Sequence, residues 1–359
     1  MNIDQVCEVL RENAAQVDAD GTWPEASILA LAKAGLLSGW SGMREFADTT
    51  RRLSQSCAST AMIYLMHVCG TQCIAASSNK KAMKRIDSGQ ALATLAFSER
   101  GSRSHFWAPV SRANKNGRGI EIDADKSFVT SAGRANYYVV STGSLGGQTP
   151  SDSTLYLVES GTSGVEVTGN WKGLGLRGNS SAAMKFKCSV DESSRLTDEG
   201  GGFNAMLEIV LPWFQIGSAA VSIGIAEAAL ANAIPHVTSA RFEHLGASLA
   251  SAVPGIRARL ARMQLAVDAS RAYLDQTLGK VETQAPDAML AILGVKAVAS
   301  ENAIHVTDEA MRACGGAAFG RQLSIERHFR DARAASIMAP TTEILYDFIG
   351  KALSGLPLF

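Results

Sequence analysis

Hydrophobic residues recur at helical spacing over the first 90 or so positions of the chain. Val6, Val9, Leu10 and Ala14 follow the i, i+3, i+4 pattern of a helix with one buried face, and residues 28–36 repeat it. From about Leu92 the pattern changes to short β-rich segments separated by Gly, Asn, Asp and Ser. The segments that we expect to be strands are Phe128–Thr130, Tyr137–Thr142, Thr154–Val158, Val165–Val167 and Ala183–Lys187.

The helical period returns after the three glycines at positions 200–202 and holds to the end of the chain. The pattern predicts helices over Phe203–Ala240, Val253–Leu278, Ala288–Cys314 and Thr341–Leu353, the first interrupted by Pro212 and Pro235. The chain therefore reads as an α+β protein with three segments. They are a helical segment at 1–91, a β segment at 92–198 and a second helical segment at 199–359.

Composition narrows the possible functions. The 359 residues are 46% hydrophobic, which is enough for a sizeable core, and 34 basic residues balance 34 acidic ones, so no nucleic-acid or anionic membrane surface is expected. The six cysteines show no C-x-x-C pair, and we expect reduced thiols and no metal site. No secretion signal is recognisable in Met1–Gln5, and no uninterrupted apolar stretch reaches about 18 residues, so we expect a cytoplasmic protein without membrane spans.

Three segments near the C-terminus carry a family resemblance. Gly315-Gly316 is followed by E-R-H-F-R-D-A at 326–332 and by A-P-T-T-E-I at 339–344. This order resembles the closing signature of the acyl-CoA dehydrogenases, in which a Gly-Gly turn precedes E-R-x-x-R-D-A and E-G-T-x-E-I segments. The resemblance implies an N-terminal helical domain, a central β-barrel or sandwich and a C-terminal four-helix bundle. It also implies FAD as cofactor and a homodimer or homotetramer.

Two segments of the β region extend the resemblance. S-E-R-G-S-R-S-H at 98–105 is similar to the family's T-E-P-G-A-G-S-D, which implies that Ser98 contacts a flavin carbonyl and Ser104 the pyrophosphate. K-S-F-V-T-S at 126–131 is similar to K-x-W-I-T-N. That match implies that Phe128 stacks near the isoalloxazine, that Thr130 lies near flavin N5, and that Ser131 belongs to the same cofactor-binding segment.

The C-terminal helices supply the remaining cofactor residues that the resemblance implies. Residues 241–246 are similar to the family's R-x-x-F-G with one residue more, and Arg241 would contact the flavin pyrophosphate of a neighbouring subunit. Gly315 and Gly316 would let the backbone approach the adenosine half. Thr341 would cap the last helix and contact the cofactor.

Two further expectations concern packing in the C-terminal helices. We expect Arg327, Arg330 and Asp331 to form ion pairs within the helical segment. A second set of residues forms an apolar stripe on the last helix, and we expect this stripe to pack against a partner subunit: Ile344, Leu345, Phe348, Ile349 and Leu353.

The family's catalytic base is missing from both of its known locations. Ala339 stands where the Glu of E-G-T would be. The family's second location for the base is on the long helix after the β domain, in the residue that precedes an Arg. Phe214 and Gln215 occupy that location here. Removal of hydrogen from Cα of a thioester needs such a carboxylate.

Three explanations remain open. A relocated base could act, and His105, Glu243 and His244 are the candidates. The protein could instead be a flavin-dependent monooxygenase of the same fold, or a non-catalytic subunit of a heteromeric dehydrogenase. Our first expectation is oxidation of acyl-CoA or another acyl thioester, with an electron-transfer flavoprotein or oxygen as electron acceptor.

Overall fold

The computed structural model describes residues 1–103, 105–117 and 119–358, which divide into two compact units. The β-sheet unit comprises Met1–Gly42, Met62–Gly173 and Arg177–Phe214. The helical unit comprises Met43–Ala61, Leu174–Leu176 and the chain from Gln215 onward. The order of helices, then sheets, then helices confirms the α+β architecture expected from the sequence.

Five helices precede the first strand. They are α1 (Ile3–Asp20), α2 (Glu25–Lys33), α3 (Met43–Ser56), α4 (Ala58–Ala75) and α5 (Lys80–Asp87). Helix α1 begins where Asn2 and Gln5 form a reciprocal capping box, and it ends at Gly21, whose φ of 63° reverses the backbone. Val6, Leu10 and Ala14 are buried, as their spacing predicted.

The strands form two main sheets in the β-sheet unit. One has the order β1 (Ala93–Ala96), β4 (Tyr137–Gly143), β5 (Ser153–Glu159), and the other β2 (Arg112–Asn116), β3 (Gly119–Val129), β7 (Ala182–Asp191), β6 (Val165–Val167). Strands β1 and β4 are parallel, whereas the remaining neighbours are antiparallel. Side chains from both sheets, among them Ile120, Ile122, Tyr138, Tyr156 and Phe186, share one buried core.

Strand β2 was not predicted from the sequence. Only Ala113 of its five residues is buried, so the strand has no hydrophobic alternation by which it could be recognised. Its pairing with β3, from Arg112 opposite Asp123 to Asn116 opposite Gly119, fixes it as an edge strand.

The C-terminal region is helical apart from a short hairpin. Its elements are α6 (Gly202–Ala205), a π-helical turn (Met206–Val210), α7 (Leu211–Ser239), β8 (Arg241–Phe242), β9 (Ala247–Ser248), α8 (Leu249–Ala252), α9 (Pro254–Glu282), α10 (Ala288–Cys314), α11 (Gly316–Phe319), α12 (Ile325–Asp331), α13 (Arg333–Ile337) and α14 (Thr342–Leu353). The bounds of α10 agree with the prediction at both ends. Pro212 has no N–H to donate to the carbonyl of Glu208, and the helix widens into the π-helical turn just before it.

The apolar stripe on α14 is mostly covered by the protein's own chain. Helix α14 packs against α10, and Leu345 and Phe348 are buried. Leu353 remains exposed. The expectation that the whole stripe seeks a partner subunit is therefore wrong for its central residues, because α10 already covers them.

Two helical stretches, Gly202–Ser239 and Ala288–Cys314, are long and apolar enough to cross a membrane by length and composition alone. The rest of the protein buries 89% and 61% of their most apolar windows. Burial of this kind is the ordinary state of the core helices of a folded domain.

His67 on α4 is a core histidine with both ring nitrogens engaged. Its Nε2 lies 2.7 Å from the carbonyl oxygen of Leu37, and its Nδ1 accepts the backbone N–H of Ala93 at 3.0 Å. This network assigns the proton to Nε2 and leaves the ring neutral. Burial lowers the pKa of His67 to about 4.

This histidine should make the protein acid-sensitive. As pH falls below about 6.5, the unfolded state binds a proton that folded His67 binds only near its pKa of about 4, so up to about 3 kcal/mol of stability is lost across that window. Urea unfolding at pH 7.5, 5.5 and 4.5 should show a steeper loss for the wild type than for His67→Asn. Parallel pH dependences for the two proteins would contradict this prediction.

Candidate active site

The segment after β1 is tied to β3 at the position of Ser98. The backbone N–H of Ser127 donates to the carbonyl oxygen of Ser98 at 2.7 Å, and the Ser98 side chain is half-buried. Two stretches that the resemblance assigns to the cofactor, the one starting at Ser98 and the one at 126–131, are therefore adjacent. Ser104 lies outside the described residues.

A buried ion pair anchors the segment that begins at Ser98. The Glu99 carboxylate accepts the Lys126 ammonium, the backbone N–H of Val110 at 2.5 Å and that of Ser111 at 3.1 Å. Lys126 also donates to the carbonyl oxygen of Ser141 at 2.6 Å. Burial lowers the pKa of Lys126 to about 8, although the Glu99 carboxylate opposes that shift.

Sequence reasoning missed this pair, yet a signal was present. Strand β3 alternates buried and outward residues, and Lys126 continues the buried series of Ile120, Ile122 and Ala124. A lysine at an inward position of a strand requires a buried partner. Glu99 supplies it from 27 positions earlier in the chain.

Phe128 is exposed and conformationally strained. It lies at a β-bulge between Lys126 and Val129, has a φ of 55°, and leaves 68% of its surface exposed. Its ring meets Trp171 edge-on, with centroids 6.4 Å apart. A left-handed backbone at a bulky residue costs on the order of 1 kcal/mol or more, and such strain concentrates at ligand sites. The bulge thus leaves an aromatic face exposed at the surface.

The residues after Phe128 continue this unusual backbone. Ser131 has a φ of 63° and Ser180 one of 51°, and the Ser131 N–H donates to the carbonyl oxygen of Asn179 at 3.0 Å. The Thr130 and Ser181 hydroxyl oxygens are 2.9 Å apart. The buried Oδ1 of Asn179 has no hydrogen-bond partner among the described residues. Polar groups and strain therefore converge at this end of β3.

The β8–β9 hairpin carries three sequence-predicted residues of the helical unit. Arg241 donates to the carbonyl oxygen of Gly246 across the hairpin, and its side chain is exposed. Glu243 and His244 form the exposed turn between the strands, with the His244 ring edge-on to Phe242 at 5.9 Å.

The two glycines after α10 leave the backbone open. Gly315 has a φ of 60°, a conformation that side chains disfavour. A Cβ added at either Gly315 or Gly316 would meet no atom of the described chain within 4 Å. The protein's own packing therefore does not require a glycine at position 316, whereas close approach of a ligand would.

Thr341 caps the last helix, as predicted. Its hydroxyl accepts the backbone N–H of Ile344 at 3.4 Å at the start of α14. Ala339, two residues earlier, is half-buried and has no titratable group.

Arg330 and Asp331, at the end of α12, hydrogen-bond the backbone of residues 174–176. Arg330 forms the expected ion pair, with Glu326 at 2.8 Å, and donates to the carbonyl oxygen of Leu174 at 3.0 Å. Asp331 accepts the backbone N–H of Leu176 at 2.7 Å. This carboxylate therefore fixes a backbone segment from a distant part of the sequence.

The three candidate bases are all accessible. His105 is exposed and stacks on Trp107, with centroids 4.9 Å apart. His105 belongs to the β-sheet unit, whereas Glu243 and His244 belong to the helical unit. At the family's second base location Phe214 is buried, and neither amide atom of buried Gln215 has a hydrogen-bond partner among the described residues.

These features fit a flavin. An exposed aromatic ring beside hydroxyl groups suits a planar heterocycle with a polar edge, and open glycines with an arginine suit a dinucleotide. Ser98, Phe128, Thr130 and Ser131 meet at one end of β3. Arg241, Gly315, Gly316 and Thr341 belong to the helical unit.

Comparison with known proteins identifies the family. Residues 94–188 match the acyl-CoA dehydrogenase middle domain and residues 200–354 the acyl-CoA dehydrogenase C-terminal domain. The chain is 27% identical to a cyclohex-1-ene-1-carbonyl-CoA dehydrogenase of Geobacter metallireducens, over 98% of this chain and 97% of that protein. It is 28% identical to the human mitochondrial short-chain specific acyl-CoA dehydrogenase, over 92% and 83%.

Comparison with solved structures finds the same fold in an acyl-CoA dehydrogenase. The butyryl-CoA dehydrogenase structure from Megasphaera elsdenii superposes with a TM-score of 0.90, at 22% identity, over 99% of this chain and 98% of that one. Two domain matches that together span well over half of the sequence, in the order seen in the fold, show that the chain belongs to the acyl-CoA dehydrogenase family.

Proposed function

We propose that this protein is an FAD-dependent oxidoreductase that oxidises the Cα–Cβ bond of an acyl thioester. The observation that carries the proposal is Phe128, an exposed aromatic held in a left-handed backbone next to Thr130 and Ser131. Backbone strain at a bulky, exposed residue is enriched at ligand sites. Family membership supplies the reaction class.

The residues of the β-sheet unit suit the flavin ring. The half-buried Ser98 hydroxyl would hold its polar edge and Phe128 its face, whereas the Thr130 and Ser131 side chains are buried. The Glu99–Lys126 pair keeps the segment after β1 in place. In the helical unit, Arg241 would pair with the pyrophosphate of a flavin bound by a neighbouring subunit, and Gly315-Gly316 would admit an adenosine half. When bound, FAD supplies the hydride acceptor for the substrate Cβ.

Proton abstraction needs a group other than Ala339. An alanine cannot accept the Cα proton, so the proposed dehydrogenase uses a relocated base. His105, Glu243 and His244 carry titratable side chains that solvent can reach. The substrate would be acyl-CoA or another acyl thioester, and an electron-transfer flavoprotein or oxygen would reoxidise the flavin. We also propose a homodimer or homotetramer.

The test is an anaerobic titration of FAD-loaded protein with short, long and branched acyl-CoAs, following bleaching of the flavin absorbance. Bleaching by any of them supports the dehydrogenase. The variants His105→Gln, Glu243→Gln and His244→Gln then locate the base by loss of the bleaching rate. FAD binding without bleaching by any thioester would sink this proposal.

The missing carboxylates favour a second candidate function. With Ala339 and Phe214 at the two base locations, the protein could be a flavin-dependent monooxygenase, which needs no Cα-directed carboxylate, or a non-catalytic subunit. Oxygen consumption with a supplied flavin reductase distinguishes the monooxygenase. A protein that binds no FAD when expressed alone would point to the subunit.

Because Phe128 is strained, we expect its replacement by glycine to lower FAD affinity without lowering the stability of the fold. Phe128→Gly relieves the left-handed backbone, so we expect the free energy of unfolding to hold or rise by up to about 1 kcal/mol. The same change removes the aromatic face, and we expect FAD affinity to fall at least about tenfold. Urea unfolding and fluorescence titration with FAD measure the two effects.

Gln284 offers a matched control for Phe128. It is exposed and also left-handed, with a φ of 52°, in the connection between α9 and α10. Gln284→Gly should stabilise by a similar amount without changing FAD affinity. Equal FAD affinity in wild type and Phe128→Gly would show that the strained aromatic has no part in binding the cofactor.

A further inference from the structure

One stretch of the β-sheet unit carries basic residues without acidic ones. Residues 100–120 contain four arginines and one lysine but no aspartate or glutamate, although basic and acidic residues balance over the whole chain. Arg100, Arg103 and Arg112 are exposed, and their side chains form no ion pair or hydrogen bond within the described part of the chain. Even Asp123, which stands opposite Arg112 in the pairing of β2 with β3, does not pair with it. No step proposed so far uses this positive charge.

The fold brings the two ends of this stretch together. The Glu99 carboxylate accepts the backbone N–H of Ser111 at 3.1 Å, so Arg100 and Arg112 each directly follow one member of a hydrogen-bonded pair. The negative charge of Glu99 itself is buried and paired with Lys126. It therefore does not cancel the positive charge that the arginines place at the surface.

A cleft of about 520 Å³ extends from Arg112 along strand β2. Arg112, Asn114 and Lys115 belong to one wall, and the loop at 143–147 forms the other. Lys115 lies 3.3 Å from Glu192, an exposed pair, and Glu192 does not line the cleft. The walls of the cleft thus carry two cations and no acidic side chain.

Four exposed cations therefore form one basic surface: Arg100, Arg103, Arg112 and Lys115. This surface begins two residues after Ser98, whose hydroxyl would hold the polar edge of the flavin. Whatever delivers the acyl group to the flavin must come close to this part of the β-sheet unit.

The spread of the charges indicates the size of the ligand. Arg112 and Lys115 are three residues apart on a strand, which separates their backbones by about 10 Å. None of the four cations is buried, so none is held in place around a small anion. Separated, exposed and unpaired cations suit a large partner with a complementary negative surface, which they attract over a distance.

We propose that the basic surface docks an acidic carrier protein that holds the acyl group as a thioester on a phosphopantetheine arm. The inference rests on the proposed function and names the form in which the substrate arrives. Carboxylates of the carrier would face the arginines, and the arm would enter beside Ser98. Complementary charges of this kind speed the encounter and orient the two proteins.

The experiment measures the dissociation constant of a bacterial acyl carrier protein, labelled with a fluorophore and carrying its arm without an acyl group, by fluorescence anisotropy. The purified wild type is compared with two double variants, Arg100→Gln with Arg112→Gln and Lys80→Gln with Lys84→Gln. The lysines are the matched control, because they are exposed on α5 of the same unit and their loss changes the net charge equally. The dissociation constant of CoA is measured on the same three proteins.

We expect the arginine variant to bind the carrier at least about tenfold more weakly than the wild type, and the lysine variant to stay within about twofold. Wild-type affinity should fall at least about tenfold between about 50 and 300 mM NaCl. If the double arginine variant fails to fold, each single arginine variant should weaken binding about threefold.

Three results would overturn the inference. They are a wild type that does not bind the carrier, an arginine variant that binds it as tightly as the lysine variant, and an arginine variant that loses affinity for CoA alone. The last result would assign the basic surface to the nucleotide of CoA.

The failure of the proposed function would look different. Butyryl-CoA and the butyryl-loaded carrier are each mixed anaerobically with the FAD-loaded wild type, and bleaching of the flavin is followed. If the carrier binds as expected and neither thioester bleaches the flavin, the docking surface stands and the dehydrogenase proposal fails. If butyryl-CoA bleaches the flavin and the carrier does not bind, the dehydrogenase stands and the docking surface is ruled out.

Discussion

Replacement of Glu99 by Gln is expected to lower the free energy of unfolding by about 3–5 kcal/mol, because it leaves the Lys126 ammonium buried without its counter-charge. The same change weakens the anchor of the segment after β1, so FAD content should fall with it. Urea unfolding and the flavin absorbance of the purified protein measure the two effects.

Two controls make this prediction specific. The double variant Glu99→Met with Lys126→Met removes both charges and should recover much of the loss, because apolar residues of similar volume replace the buried pair. The exposed pair of Lys115 and Glu192, 3.3 Å apart, tests the contribution of burial. Glu192→Gln should stay within about 0.5 kcal/mol of wild type. A double variant less stable than Glu99→Gln would contradict the buried-charge explanation.

The second large effect is expected from Gly175→Ala. A Cβ at this position would lie 2.6 Å from the carbonyl carbon and oxygen of Arg330 and 2.7 Å from Cα of Asp331, all of them backbone atoms that cannot rotate away. The backbone must separate to admit it, which strains the bond from the Leu176 N–H to the Asp331 carboxylate. We expect a loss of about 2–3 kcal/mol, measured by urea unfolding.

Gly279 is the matched control for this substitution. It lies in the last turns of α9, and an added Cβ would meet no atom within 4 Å. Gly279→Ala should therefore be neutral or stabilising by up to about 1 kcal/mol, since alanine favours a helix more than glycine does. Equal effects at the two glycines would refute the steric explanation.

Prediction from the sequence succeeded where the signal was local. The bounds of α10 followed from an uninterrupted helical period, and the Thr341 cap from a hydroxyl residue just before an apolar run. Strand β2 was missed because its single buried residue gives no alternation. The α14 stripe was wrongly expected to be unpaired because a hydrophobic period shows that a face is buried, not what covers it.

The candidate site shows the same division. The segments at 98–105 and 126–131 were recognisable from residue identity alone. The strain at Phe128 was not, because φ is set by the bulge between Lys126 and Val129 and by pairing with a strand about 55 positions further along. No carboxylate stands at position 339, and the prediction stays that His105, Glu243 or His244 abstracts the proton instead.

The sequence by itself determined the order of helical and β-rich segments, the family and the loss of the carboxylate at Ala339, because periodicity and motifs are properties of neighbouring residues. Only the tertiary structure decided which buried charges have partners. Glu99 and Lys126 are 27 positions apart, and buried Lys296 donates to the carbonyl oxygen of Met338, 42 positions further along. Burial makes an unpaired charge costly, so the fold must bring such groups together, but no pattern along the chain names the partner.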